Sequence, residues 1–161
     1  MGLVVHADHS GGNNSTFTGT VVASTLTDIY SMIASSMLAL KGPRHGGANL
    51  SCLDMMRSVI DEVGLYPSDS EIDNIVNRLL NKDFYDKSGL IYGIGHAVYT
   101  KSDPRCLLLK EKARELGREK NNDKFNFYER FEAIAIKTLS ERLGKVTCAN
   151  LDFYSGLIYE C

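Results

Sequence analysis

The chain has 161 residues, of which 43% are hydrophobic and 24% charged, and its formal net charge is −2. That length suits one domain with a modest core, and the near-neutral balance excludes a global field that would recruit nucleic acid or an anionic membrane. No apolar run approaches the ~18 residues that span a bilayer, and the opening "MGLVVHADH" lacks the basic region and long apolar core of a secretory signal.

Apolar residues recur at helical spacing almost throughout. Leu26, Ile29, Ile33, Met37 and Leu40 share one face of a first predicted helix, ended by Gly42-Pro43. After Gly46-Gly47, a second carries Cys52, Met56, Val59, Ile60 and Val63 and stops at Gly64. Ser68 and Glu71 have the spacing of a capping box for a third, whose face is Ile72, Ile75, Val76, Leu79 and Leu80. Lys87 to Lys101, with "IYGIGHAVY", breaks the period and fits either a loop or a short hairpin. Asp103 as N-cap with Pro104 at the first helical position opens a fourth helix through Leu107, Leu108 and Leu116. The polar "GREKNNDKF" reads as an exposed connection. A fifth helix follows with Tyr128, Phe131, Ala135 and Leu139, and Gly144 is its stop. A last helix begins near Asp152. The pattern is all-α, with about six helices.

Cys52, Cys106, Cys148 and Cys161 are far apart and form no C-x-x-C pair. Reduced, packed thiols suit a cytoplasmic protein. The chain opens inside an apolar run and stops at "GLIYEC", which reads as a piece of a longer protein.

Three of the four histidines lie beside glycines or a helix start: His9 in "HADHSGGNNS", His45 in "GPRHGGAN" and His96 in "GIGHAVY". Glycine allows close backbone approach by a ligand, and helix starts offer free N–H groups to anions. His45 reads either as a capping or packed histidine, or as a neutral donor to a developing enolate oxygen. Arg105 reads either as an ion-pair partner near Asp103 or as a fork for a carboxylate. Asp152, between Leu151 and Phe153, reads either as a helix N-cap or as a general base raised by apolar neighbours. His6, Asp8 and His9 resemble part of a metal site, but no further ligands follow at zinc spacing. Gly93-x-Gly95 lacks the third glycine of a dinucleotide fingerprint. Ser10, Ser15 and Ser155 lack a nucleophile elbow.

Taken in order, "HADHSGGNNSTFTGTVVASTLTDIYSMIASSMLALKGPRHGGAN", "GIGHAVYTKSDPR" and "ANLDFYSG" resemble the successive signature segments of citrate synthases. The resemblance covers Val5 to Cys161. It implies a multi-helical small domain, 45–148, flanked by partial large-domain helices at 1–44 and 149–161. It implies condensation of acetyl-CoA with oxaloacetate, then hydrolysis of citryl-CoA, by a homodimer with acetyl-CoA as co-substrate and no permanently bound cofactor or metal. By motif, Asp152 is the base that takes the methyl proton, His45 meets the enol oxygen, and His96 polarises the oxaloacetate ketone. His9 and Arg105 hold oxaloacetate. Leu90, Gly93, Ile94, Gly95 and Asn150 lie along the CoA path.

The sequence departs from that pattern in two ways. Family members are much longer, and the later arginines that contact oxaloacetate have no counterpart here, so this piece alone is expected to be inactive. Arg44 stands where leucine is commoner. Two other readings remain: a 2-methylcitrate synthase acting on propionyl-CoA, and a non-catalytic helical module that binds CoA or self-associates.

Overall fold

The computed structural model describes every residue except Ser10, Ala97, Val98, Thr100, Asn121, Asn122 and Cys161. The readings of Ser10 and Cys161, and the valine of the His96 motif, therefore lie outside the described residues. Among the described residues the fold is all-α, with eight helices in place of about six. They are α1 (Gly2–Ala7), α2 (Asn14–Ala23), α3 (Ile29–Leu40), α4 (Ala48–Val63), α5 (Asp69–Leu80), α6 (Pro104–Glu119), α7 (Lys124–Leu143) and α8 (Asp152–Glu160). Two compact units divide them, Met1–Ala48 and Asn49–Cys161. Among the described residues, no helix is long and apolar enough to cross a membrane.

In the first unit, α2 packs on α3. A side chain at Gly19 would come within 2.5 Å of Ser36 Oγ, so only glycine lets the two helices approach this closely. The α2 helix has no apolar stripe, which is why period counting passes over it. Its start is marked instead by Asn13, whose carboxamide oxygen accepts from the Ser15 and Thr16 N–H groups. Leu26 does not belong to α3. It sits in the connecting turn at φ 58°, and Asp28 caps α3 through Ser31 N–H. The stripe of Ile29, Ile33, Met37 and Leu40 is on α3 but remains exposed.

The core of the second unit is aromatic. Phe125, Phe127, Tyr128 and Phe131 of α7 are buried, as are Phe153 and Tyr154 of α8. The five apolar residues expected on α5 are all buried, and Ser68 and Glu71 form both halves of the capping box. The α4 helix buries Cys52, Met55, Met56 and Val59. The face expected for α6 is displaced: Leu107 and Leu108 are half exposed, and Cys106, Leu109, Ala113 and Gly117 are buried instead. The α6 stripe is small and polar-flanked, so its leucines misdirect the reading. The supposed connection "GREKNNDKF" is also shorter than expected, because Gly117 to Glu119 are helical and Phe125 is buried. Gly144, at φ 63°, closes α7.

Candidate active site

Among the described residues of 87–101 no hairpin forms. Ile94 pairs instead far along the chain, in an antiparallel bridge with Ala149. Gly95 N–H donates to Cys148 O at 2.7 Å, and Asn150 N–H to Gly93 O at 2.9 Å. Asn150 completes the joint. Its amide nitrogen donates to Gly95 O at 2.9 Å, and its carboxamide oxygen accepts from Asp152 N–H at 2.9 Å. One side chain thus ties the glycine turn to the first turn of α8. Asp152 is the first residue of that helix, and Asn150 supplies the cap.

Gly93 is doubly constrained. Its φ is 83°, and a Cβ would lie 2.8 Å from Cys52 Sγ and 2.9 Å from Phe153 Cα. Cys52 itself donates to Tyr92 O at 3.3 Å. Burial raises the Cys52 thiol pKa well above its ordinary value, and the Asp152 charge adds to the rise.

His96 and Arg105 meet at Asp103, which is buried. The Arg105 guanidinium grips both carboxylate oxygens, Nε to Oδ1 at 3.0 Å and Nη2 to Oδ2 at 2.9 Å. Arg105 N–H also donates to Oδ1, so Asp103 is the N-cap of α6 as expected. His96 Nε2 lies 3.5 Å from Asp103 Oδ2. His96 Nδ1 accepts from Tyr99 N–H at 3.0 Å. A backbone N–H can only donate, so the neutral ring carries its proton on Nε2. Burial lowers the His96 pKa and Arg105 lowers it further, against the pull of Asp103. Burial alone would raise the Asp103 pKa, but the Arg105 hydrogen bonds hold it below the ordinary carboxylate value. The site therefore pairs a neutral histidine donor with an ionised, clamped carboxylate.

A cleft of about 390 Å³ opens beside this loop. Leu90, Ile94, Gly95 and His96 line one part of it, and Leu143, Arg142 and Lys145 another. Arg142 also donates to Asn81 Oδ1 at 2.9 Å.

The other two candidate histidines belong to the first unit, and neighbouring residues of α2 hold them. Ser15 Oγ is 2.8 Å from His45 Nε2, and Thr16 Oγ1 is 3.0 Å from His9 Nδ1. His45 itself lies in the turn before α4, with its carbonyl accepting from Ala48 N–H. Arg44 is exposed. His6 Nδ1 is directed at Gly2 O of its own helix, 2.9 Å away. Among the described residues, no group of three His, Cys, Asp or Glu could hold a metal ion.

The sequence does not reveal the contacts of Ser15 with His45, of Cys52 with the Gly93 turn, or of Asp103 with His96. The sequence marks Ser15 only as a possible nucleophile, Cys52 only as core, and Asp103 as a cap and an ion-pair neighbour of Arg105 but not as a partner of His96. The Asn13 cap and the Asp-Pro-Arg spacing were the available signals for Ser15 and Asp103. Nothing local marks Cys52.

The sequence matches the family model described as citrate synthase, C-terminal domain, over residues 1–161. It is 41% identical over 160 residues to a citrate synthase of Deinococcus radiodurans, covering 99% of this chain and 38% of that protein. It is 32% identical over 159 residues to a 2-methylcitrate synthase of Shewanella oneidensis, covering 99% of this chain and 38% of that one. Among solved structures, it resembles a citrate synthase of Thermoplasma acidophilum in ternary complex with carboxymethyl coenzyme A and oxaloacetate. The TM-score is 0.75 and the identity 28%, with 99% of this chain and 38% of that one covered.

Proposed function

Because this chain belongs to the citrate synthase family by its C-terminal domain, we propose that it carries the acyl-CoA and oxaloacetate half-sites of a citrate synthase. The observation that carries the reading is the Asp103 junction, which fixes a neutral His96 and an Arg105 side by side. A dianionic keto acid needs that combination, a donor for its ketone and a cation for its carboxylate.

In the proposed reaction Asp152 removes a methyl proton from acetyl-CoA. His45, oriented by Ser15, hydrogen-bonds the thioester oxygen as charge develops there. The enolate carbon then attacks the oxaloacetate ketone, which His96 polarises through Nε2–H. Arg105 and His9 hold oxaloacetate. An acetyl methyl is a weak carbon acid, so a donor to the thioester oxygen matters as much as the base. Hydrolysis of citryl-CoA completes the turnover.

The cleft beside Leu90, Ile94 and Gly95 fits the CoA path, and Lys145 and Arg142 suit its anionic groups. The exposed stripe of α3 supports self-association into a dimer. Three buried free thiols suit a reducing cytoplasm. We keep 1–44, 45–148 and 149–161 as the large-domain, small-domain and return segments of the assignment. The chain spans 38% of its relatives' length, so the 161-residue chain by itself is expected to be inactive.

The test is release of CoA thiol from acetyl-CoA with oxaloacetate. It is run on the 161-residue chain and, where the reading frame continues on either side, on the longer product. We expect turnover only in the longer product, reduced about a hundredfold or more by Asp152→Asn. No thiol release in the longer product would sink the citrate synthase reading. Sustained release from the 161-residue chain would sink the inactivity claim. The match to a 2-methylcitrate synthase favours one alternative acyl donor, and faster release from propionyl-CoA than from acetyl-CoA would establish it.

A further inference from the structure

Beside α8 lies a polar cluster inside the aromatic core. Tyr154 OH donates to Glu132 Oε2 at 2.6 Å, and Lys110 Nζ donates to the same oxygen at 2.8 Å. Lys110 also reaches Glu129 Oε1 at 3.3 Å, and its ammonium lies 5.8 Å from the centre of the Tyr154 ring. Tyr154 is fully buried between Phe125, Tyr128 and Phe153. The Glu132 and Lys110 side chains are 12% and 22% exposed. Three helices therefore meet at one carboxylate: α6 through Lys110, α7 through Glu132 and α8 through Tyr154.

Burying a carboxylate, an ammonium and a phenol together is costly unless each is satisfied, and here each is. A phenylalanine at 154 would fill the same aromatic space without the hydroxyl. Aromatic packing alone holds a helix side-on, but rings slide and tilt at little cost. A 2.6 Å hydrogen bond to a fixed charge does not slide.

The geometry of α8 turns that anchor into a direction. Residues two apart on an α-helix point about 200° apart. Tyr154 pinned inward therefore sends Asp152 to the opposite side of α8, in the helix turn whose N–H is held by Asn150.

We propose that Tyr154, Glu132 and Lys110 form a positioning device that sets the axial rotation of α8 and so aims the Asp152 carboxylate. Its value to catalysis rests on the proposed role of Asp152, but the positioning itself does not. These three are positioning residues, since none is placed against substrate.

The test uses the 161-residue chain, with carboxyl carbons labelled and the Asp152 signal assigned by its loss in Asp152→Asn. Tyr154→Phe removes one oxygen and keeps the ring. We expect the Asp152 carboxyl signal and its titration to move, and amide exchange within α8 to quicken about tenfold, while α4 and α5 keep their rates. Glu132→Gln removes the fixed charge that holds the phenol and Lys110, and serves if Tyr154→Phe does not fold. It should move the same signal in the same direction, and the double variant should move it no further than the larger single effect. An Asp152 signal unchanged in both variants, or exchange quickened equally in every helix, would reduce the cluster to general core stability and overturn the proposal. Asp152→Asn thiol-release assays test the base separately. A signal that moves, beside an Asp152→Asn that still turns over, would remove the base and leave the positioning device standing.

Discussion

At the scale of single residues, the close fit around Gly93 governs the site. A methyl there meets Cys52 Sγ and the Phe153 backbone, at a φ that side chains rarely adopt. The backbone cannot swing away as a flexible side chain could. We expect Gly93→Ala to cost more than about 2 kcal/mol in urea unfolding, with the loss reduced when Cys52→Ala is added. Gly93 was legible in the sequence as a place of close approach, but what approaches it was not. Cys52 is separated from it by a whole helix and a loop, and no spacing rule connects them. The same holds for Asp103. Its cap was readable from Asp-Pro, since a cap depends on adjacent residues. Its contact with His96 depends on how the loop folds back, which periodicity does not encode.

At the scale of elements, legibility followed the strength of the apolar stripe. The α5 helix was read correctly from cap to face because its five apolar residues all fall on one side and all are buried. The α6 helix was found but its face was misplaced, because Ala113 and Gly117 fill the tight side while leucines face outward. The α2 helix escapes period counting because Phe17, Val21 and Val22 stand among hydroxylated residues and form no buried stripe. Leu26 shows the cost of reading hydrophobicity as burial. It is 94% exposed and left-handed, in the turn between two helices. Leu26→Gly removes that strain and gives up no packing. It should raise stability by about 1 kcal/mol, or shift the thermal midpoint upward by a few degrees. Gly19→Ala should lower it, because its Cβ would collide with Ser36.

At the scale of the whole molecule, His96 and Asp103 make stability depend on acid. The His96 pKa is depressed, so below an ordinary value of about 6.5 the unfolded chain takes up a proton before the folded one does. Stability is then lost as pH falls from neutral through that window. The Asp103 pKa is depressed too, so its contribution is present above the ordinary 3.8 and is lost as pH falls below it. Urea midpoints measured from pH 7 to pH 5 should therefore decline, and His96→Gln should flatten that decline. A curve equally steep in His96→Gln would assign the acid sensitivity elsewhere.

The joint between Asn150 and Gly95 spans 55 positions of chain. Closing so long a loop is entropically slow compared with forming the helices on either side. The histidine loop is therefore set only after α6 and α7 have been made and have brought the strand-like 148–150 segment back. During synthesis the ribosome must release residues past 150 before this turn can take its shape. Until then the turn is open chain, and its glycines make it the natural place for a protease to cut an unfinished molecule.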